Sequence, residues 1–157
     1  MEHIQTPVAA HLHKWHDEEM EKASNSYLMS VMAIMVGLPL PIINLLATLI
    51  FFLGNRKSSW FVKWHCTQAL LSQFTVFLMN SVAFTWSLQI AFSDKVITDS
   101  YIAYLFTILF FNVTELVLSI VAAVRVRKGI HVKWWFWSAV TDLMVSPLPP
   151  KPQHTAL

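Results

Sequence analysis

From about His65 to Phe92 the chain contains no proline, no glycine, no lysine and no arginine. A membrane-crossing helix needs about 20 consecutive, mostly apolar residues, and this stretch is longer than that. A second uninterrupted stretch runs from Tyr101 to Val124, and a third, roughly from Tyr27 to Leu53, is broken by Gly37-Leu38-Pro39-Leu40-Pro41. Together they account for a composition that is 55% hydrophobic and only 13% charged. A soluble domain carries about 25% charged residues, so this chain has too few charges to coat a globule in water. Intrinsic disorder is excluded as well, because it needs low hydrophobicity and high charge. The fold class implied is an all-α integral membrane protein. It is a small helical bundle with two continuous spans, one proline-broken segment and a short C-terminal interfacial helix.

The connections are short and polar, which makes neighbouring segments antiparallel. Residues 54–64 carry Arg56, Lys57 and Lys63, and residues 125–133 carry Arg125, Arg127, Lys128 and Lys133, whereas residues 93–100 have only Lys95. By the positive-inside rule the two basic loops face the cytoplasm and the third faces away. Segments 65–92 and 101–124 supply the two crossings this requires. Trp60 and Trp64 flank one basic loop, and Trp134, Trp135 and Trp137 follow the other. Indole rings favour the headgroup level, so these five are expected to anchor one membrane interface. A bacterial inner membrane is the expected location.

Each proline in 37–41 removes a backbone donor and crowds the preceding turn. The pieces on either side are too short to cross a hydrocarbon core of about 30 Å alone. Two arrangements satisfy this: a kinked span, or a re-entrant hairpin with a cytoplasmic N-terminus, and the hairpin is preferred. Residues 131–145, at about 22 Å if helical, fall short of a crossing and suit an aromatic helix lying in the interface. The domain division expected is an acidic arm over 1–26, a membrane domain over 27–145 and a proline-rich tail over 146–157. The arm has neither a basic start nor an apolar core, so insertion would depend on the first hydrophobic segment itself. Ile4, Val8, Leu12 and Trp15 share one helical face of the arm, as in an amphipathic docking helix.

No enzyme is expected. The chain lacks a glycine-rich phosphate loop, a nucleophile paired with a base, and clustered carboxylates. Cys66 is the only cysteine, so neither an intrachain disulfide nor a cysteine-based zinc site can form. His11, His13 and His16 precede Asp17 and Glu18, but exposed histidines without a second fixed element are weak ligands; no metal or other cofactor is expected. A net charge of +2 is too small and too dispersed for nucleic-acid binding.

Polar residues inside the apolar stretches carry the local evidence for mechanism. Gln73, Asn80 and Ser87 recur every seven residues on one face, and Asn112, Glu115 and Ser119 share another. Counted from the cytoplasmic ends of two antiparallel helices, Gln73 lies at the depth of Glu115 and Asn80 at that of Asn112. The stripes are therefore expected to face each other. Glu115 is the sharpest candidate, since an acidic group near mid-bilayer costs roughly 2.5–3.5 kcal/mol on insertion scales. Three roles stay open for it: a protonated carboxyl bonded to Gln73 or Asn80, a contact to a cationic partner, or transport chemistry. His65, with Gln68 and Ser72 on its face, reads as a helix-end packing residue or a titrating site.

The run Ser59-Trp60-Phe61-Val62-Lys63-Trp64-His65-Cys66-Thr67-Gln68-Ala69-Leu70 resembles the signature of the Tic-twenty-like family, which includes a chloroplast inner-envelope translocon subunit and bacterial relatives. The matching positions are Ser59, Phe61, Val62, His65, Gln68, Ala69 and Leu70. The break at Pro39 and Pro41 and the ending Ala122-Ala123…Arg125…Lys128-Gly129 are also similar, over about residues 27–130. The resemblance implies a non-enzymatic subunit of a larger membrane complex, linked to protein translocation or complex assembly. The alternative drawn from Glu115 is a small self-associating channel or transporter. The expected partners are the bilayer and a larger membrane protein, with no nucleic acid or small-molecule substrate.

Overall fold

The structure is a computed structural model that describes residues 15–35, 41–93 and 96–145. All regular structure among these residues is helical: α1 (Asp17–Met35), α2 (Pro41–Asn55), α3 (Trp60–Phe92), α4 (Asp99–Arg127) and α5 (Trp137–Met144). At 1.5 Å per residue α3 is about 50 Å long and α4 about 44 Å, against about 28 Å for α1 and 22 Å for α2. Both α3 and α4 are long and apolar enough to cross a membrane.

Helix α1 starts ten residues before the apolar segment does, inside the stretch expected to be a separate acidic arm. The acids themselves explain the start. Asp17, Glu18 and Glu19 occupy the first turn, where the helix dipole favours negative charge. Glu19 also accepts a bond from the His16 backbone N–H at 3.0 Å, half of a capping box. Within this polar-looking stretch Ala23, Ser24 and Ser26 are buried, as is Tyr27 just after it. Pro41 opens α2 in the first turn, where a missing N–H has no helical partner to lose. Pro39 and the rest of 36–40 lie outside the described residues, as do 1–14 and the tail from 146.

Helices α1 and α2 run antiparallel to each other beside α3. Trp15 stacks on Phe61 with centroids 4.3 Å apart and on Trp60 at 6.3 Å, and Tyr27 meets His65 further along α3. Helix α1 therefore runs parallel to α3 from the same end. Helix α2 returns to that end, because Ser58 closes a turn on Asn55 at 2.9 Å just before α3 begins. The core follows from this path. Tyr27 and Ala23 of α1, Phe61, Val62, Cys66 and Ala69 of α3, and Ala122, Ala123 and Val126 of α4 form one cluster at the basic end of the molecule. Alanines at this α4 surface let the α1 backbone approach closely.

Beyond that cluster α3 and α4 continue as a pair with apolar side chains turned outward. Phe74, Leu78, Val82, Phe84 and Leu88 on α3 are exposed, as are Leu105, Phe106, Leu109, Phe110 and Val117 on α4. Only 6% of the apolar window of α3 and 17% of that of α4 is buried. A core helix of a soluble protein would hide this surface. Here it is left for another apolar medium to cover.

The carboxyl end of α4 is a Schellman motif. Gly129 N–H bonds to Val126 O at 2.9 Å and Ile130 N–H to Arg125 O at 3.1 Å, the 5→2 and 6→1 pair that closes such an end. Gly129 sits at φ 76°, the left-handed region open to glycine. The chain then turns back along α3 in an extended stretch before α5, so the helix expected over 131–145 is regular only from Trp137.

Candidate functional site

Two linked features run along α3: a hydrogen-bonded node at the basic end, shared with α1 and the chain after α4, and a polar stripe facing α4. The node is built by residues one helical turn apart on α3. His65 and Gln68 are fully buried. Gln68 Nε2 donates to the Tyr27 hydroxyl at 2.8 Å, and that hydroxyl lies 2.8 Å from His65 Nδ1. His65 Nε2 lies 3.1 Å from His131 Nδ1. One proton assignment satisfies the whole chain: Gln68 donates to Tyr27, Tyr27 to His65 Nδ1, and His65 Nε2 to His131. His131 Nε2 then carries the last proton, and this buried nitrogen has no hydrogen-bond partner.

The same residues pin the extended chain after α4. Gln68 donates a second bond to Val132 O at 3.3 Å and accepts from Trp134 N–H at 3.2 Å. It thereby satisfies backbone groups that no helix or sheet serves. Asp142 of α5 accepts the Trp64 indole N–H at 2.7 Å and the Lys133 ammonium at 3.0 Å. Burial pushes the Asp142 carboxyl up, but these two donors outweigh it and hold the group below the ordinary carboxylate range. Desolvation, aided by the nearby Lys133 charge and opposed by Asp142, holds His131 below the ordinary imidazole value.

These contacts correct the expectation that Trp64 is an interface anchor. Trp64 is fully buried, and its N–H is satisfied by the Asp142 carboxylate of α5 rather than by water at the membrane surface. Trp60 and Trp137 are half-buried, Trp134 packs on the core, and Trp135 is 94% exposed. Among the five, Trp135 presents an indole fully outward.

The stripe begins where the α1–α2 hairpin ends. Glu115 Oε1 accepts from Gln73 Nε2, from Ser119 Oγ at 2.8 Å and from Ser72 Oγ at 3.4 Å. About one and a half turns on, Asn80 and Asn112 exchange two amide bonds at 3.0 and 2.9 Å. Further out, Tyr104 donates to Met79 O at 3.1 Å, and Ser87 lies 2.8 Å from the Tyr101 hydroxyl. Polar contacts thus tie the two long helices together along most of their shared length. Glu115, Asn80 and Asn112 also line a cavity of about 330 Å³ whose far wall is Trp134, Trp135, Phe136 and Trp137.

The structure brings Gln73, Ser119, Asn80, Asn112 and Glu115 into one stripe, and Phe61, Val62, His65, Gln68 and Ala69 into the core. Ser59 precedes α3 without a side-chain cap bond, and its buried hydroxyl has no partner. His11 and His13 lie outside the described residues, and no metal-binding group of three His, Cys, Asp or Glu side chains occurs among the described ones. Sequence reasoning did not single out Tyr27, His131 or Asp142 as site residues. Their partners lie 38, 66 and 78 residues away, and no local spacing signals such pairs.

A family model described as the magnetosome magnetite crystal formation protein family matches residues 23–139. The chain belongs to that family. The match runs from Ala23, where α1 becomes buried, through Ala139 in α5, so it includes the core node, the polar stripe and the aromatic wall. It overturns the resemblance to the Tic-twenty-like family, for which no comparison gives support. The short run from Ser59 to Leu70 misled because its residues are those this packing demands: Phe61, Val62, His65, Gln68 and Ala69 all face the core. Protein translocation loses its basis with that resemblance. No curated protein and no solved structure matches the chain.

Proposed function

We propose that this member of the magnetosome magnetite crystal formation family is a non-catalytic, multi-pass component of the magnetosome membrane that acts in forming the crystal. The observation that carries this reading is the outward-facing apolar surface of α3 and α4 in a chain of this family. In this arrangement α3 and α4 cross the bilayer and the α1–α2 hairpin enters from the basic side and returns to it. Residues 54–64 and 125–133 face the cytoplasm by the positive-inside rule, and residues 96–98 face the enclosed compartment. The stripe of amide, hydroxyl and carboxyl contacts holds the two crossing helices in register. The three hydrogen bonds from the chain's own Ser72, Gln73 and Ser119 to Glu115 favour this structural role over transport chemistry.

A tagged full-length protein is expected to co-purify with magnetosomes and to resist carbonate extraction. Deleting its gene is expected to change crystal number or size, with rescue by the intact gene. Recovery of the protein in the soluble fraction, or unchanged crystals after deletion, would overturn the proposal.

A further inference from the structure

The molecule tapers along the α3 axis. From Trp60 to about Gln73, α3 is flanked by α1, α2 and α4, with α5 at the same end and the aromatic stretch reaching as far as Met79 and Asn80. Tyr27 lies level with His65 and Gln68, and Met35 follows it by eight residues, or roughly 12 Å of helix. Helix α1 therefore ends near the level of Gln73 and Val76. The aromatic stretch reaches Asn80, and from there to Phe92 roughly 18 Å of α3 is accompanied, among the described residues, by α4 alone. The burial pattern agrees: the buried residues of α3 run from Phe61 to Gln73, with Ala83 the single later one.

A second feature widens the same end. Trp135 and Leu143 are 94% and 89% exposed, with Phe136 and Met144 exposed beside them. The segment that bears them is held down by Gln68 and by the Asp142 contacts to Trp64 and Lys133. Aromatic and aliphatic side chains on a short, pinned interfacial segment insert between headgroups of one leaflet, and such insertion is sensitive to curvature.

We infer that the protein recognises membrane curvature, fitting bilayers that are convex on the side of its basic loops. The inference rests on the membrane-spanning reading above. Helices are about 10 Å wide, so the basic end displaces about twice the leaflet area of the far end. A flat bilayer would have to deform around this wedge, whereas a convex outer leaflet accommodates it. A closed membrane around a crystal is convex towards the cytoplasm, the side on which the basic loops belong. The taper would thus favour the enclosing vesicle over the flatter membrane of the cell envelope.

The test uses full-length, fluorescently labelled protein reconstituted into vesicles of one lipid composition, small sonicated against large extruded. Protein per unit membrane area is read by single-vesicle fluorescence, and orientation by trypsin cleavage at Arg56 and Lys57 from outside. The expected result is severalfold enrichment on the small vesicles, with the basic end outward. The combined variant Trp135→Ser, Phe136→Ser, Leu143→Ser changes only exposed side chains and is expected to stay inserted with reduced enrichment. Carbonate-resistant protein at equal density on both sizes, without orientation bias, would overturn the inference alone. Release of the protein by carbonate would overturn the membrane-spanning reading and the inference with it.

Discussion

At the scale of single residues, Glu115 stands in for the polar stripe. Its three donors converge on one oxygen, Oε1, so a carbonyl in that place can do the same work. Glu115→Gln is therefore expected to leave stability nearly unchanged. Glu115→Leu strands the amide and both hydroxyls; its two contacts to α3, at an average of about 0.6 kcal/mol per interhelical contact, put the loss at about 1 kcal/mol or more. Unfolding of the detergent-solubilised protein separates the two, and an equal loss in both would show that the charge itself matters. Residue-scale pairings within the stripe were readable from sequence because helical period and depth are local properties. The seven-residue recurrence of Gln73 and Asn80 put them on one face, and counting from the basic ends put Glu115 and Asn112 opposite. The burial of Trp64 was not readable, since the carboxylate that accepts its N–H lies 78 residues away.

At the scale of elements, the end of α4 and the pinned segment after it invite separate tests. Gly129 has φ 76°, and a Cβ added there would meet Met20 Sδ at 2.9 Å. The left-handed conformation alone costs an L-residue about 1–2 kcal/mol. Gly129→Ala should lower stability by at least that amount, as read from the thermal midpoint. No change would show that the Schellman end is dispensable. The segment 131–145 should also loosen in acid. His131 titrates below the ordinary imidazole value in the fold, so under mildly acidic conditions the undocked segment binds a proton that the docked one does not. Docking is then complete near neutrality and weakens as pH falls through about 6.5. Asp142 is held below the ordinary carboxylate range, so its contribution persists through that window and is lost only in stronger acid, below about 3.9. Hydrogen-exchange protection over 131–145, taken relative to the intrinsic amide rate at each pH, is expected to fall between neutral pH and about 5.5, and His131→Gln to flatten that response. An unchanged response in the variant would assign the effect elsewhere. Of the elements, α3 and α4 were legible because length and composition define them. The start of α1 was not, because its acidic first turn looks like a solvated arm while Ala23 and Tyr27 hide in the core.

At the scale of the whole molecule, one asymmetry organises the rest. The packed core, the histidine–tyrosine–glutamine node, the basic loops and the aromatic wall all sit at one end, and two bare apolar helices extend from it. The orphaned apolar surface and the charge pattern are intelligible together if the bare pair lies in lipid with the packed end at the cytoplasmic face. The choice between kinked span and hairpin needed tertiary contacts, because the Pro39–Pro41 break permits both. The family likewise could not be settled on a short motif made of residues that any such packing would select. The central claim is the topology, and accessibility of single cysteines in intact magnetosomes tests it most directly. In a Cys66→Ala background, a membrane-impermeant maleimide should label Glu18→Cys and Ser58→Cys at once, and Ile97→Cys only after the membrane is opened. Labelling of Ile97→Cys in intact vesicles, or protection of Glu18→Cys beside a reactive Ser58→Cys, would contradict it.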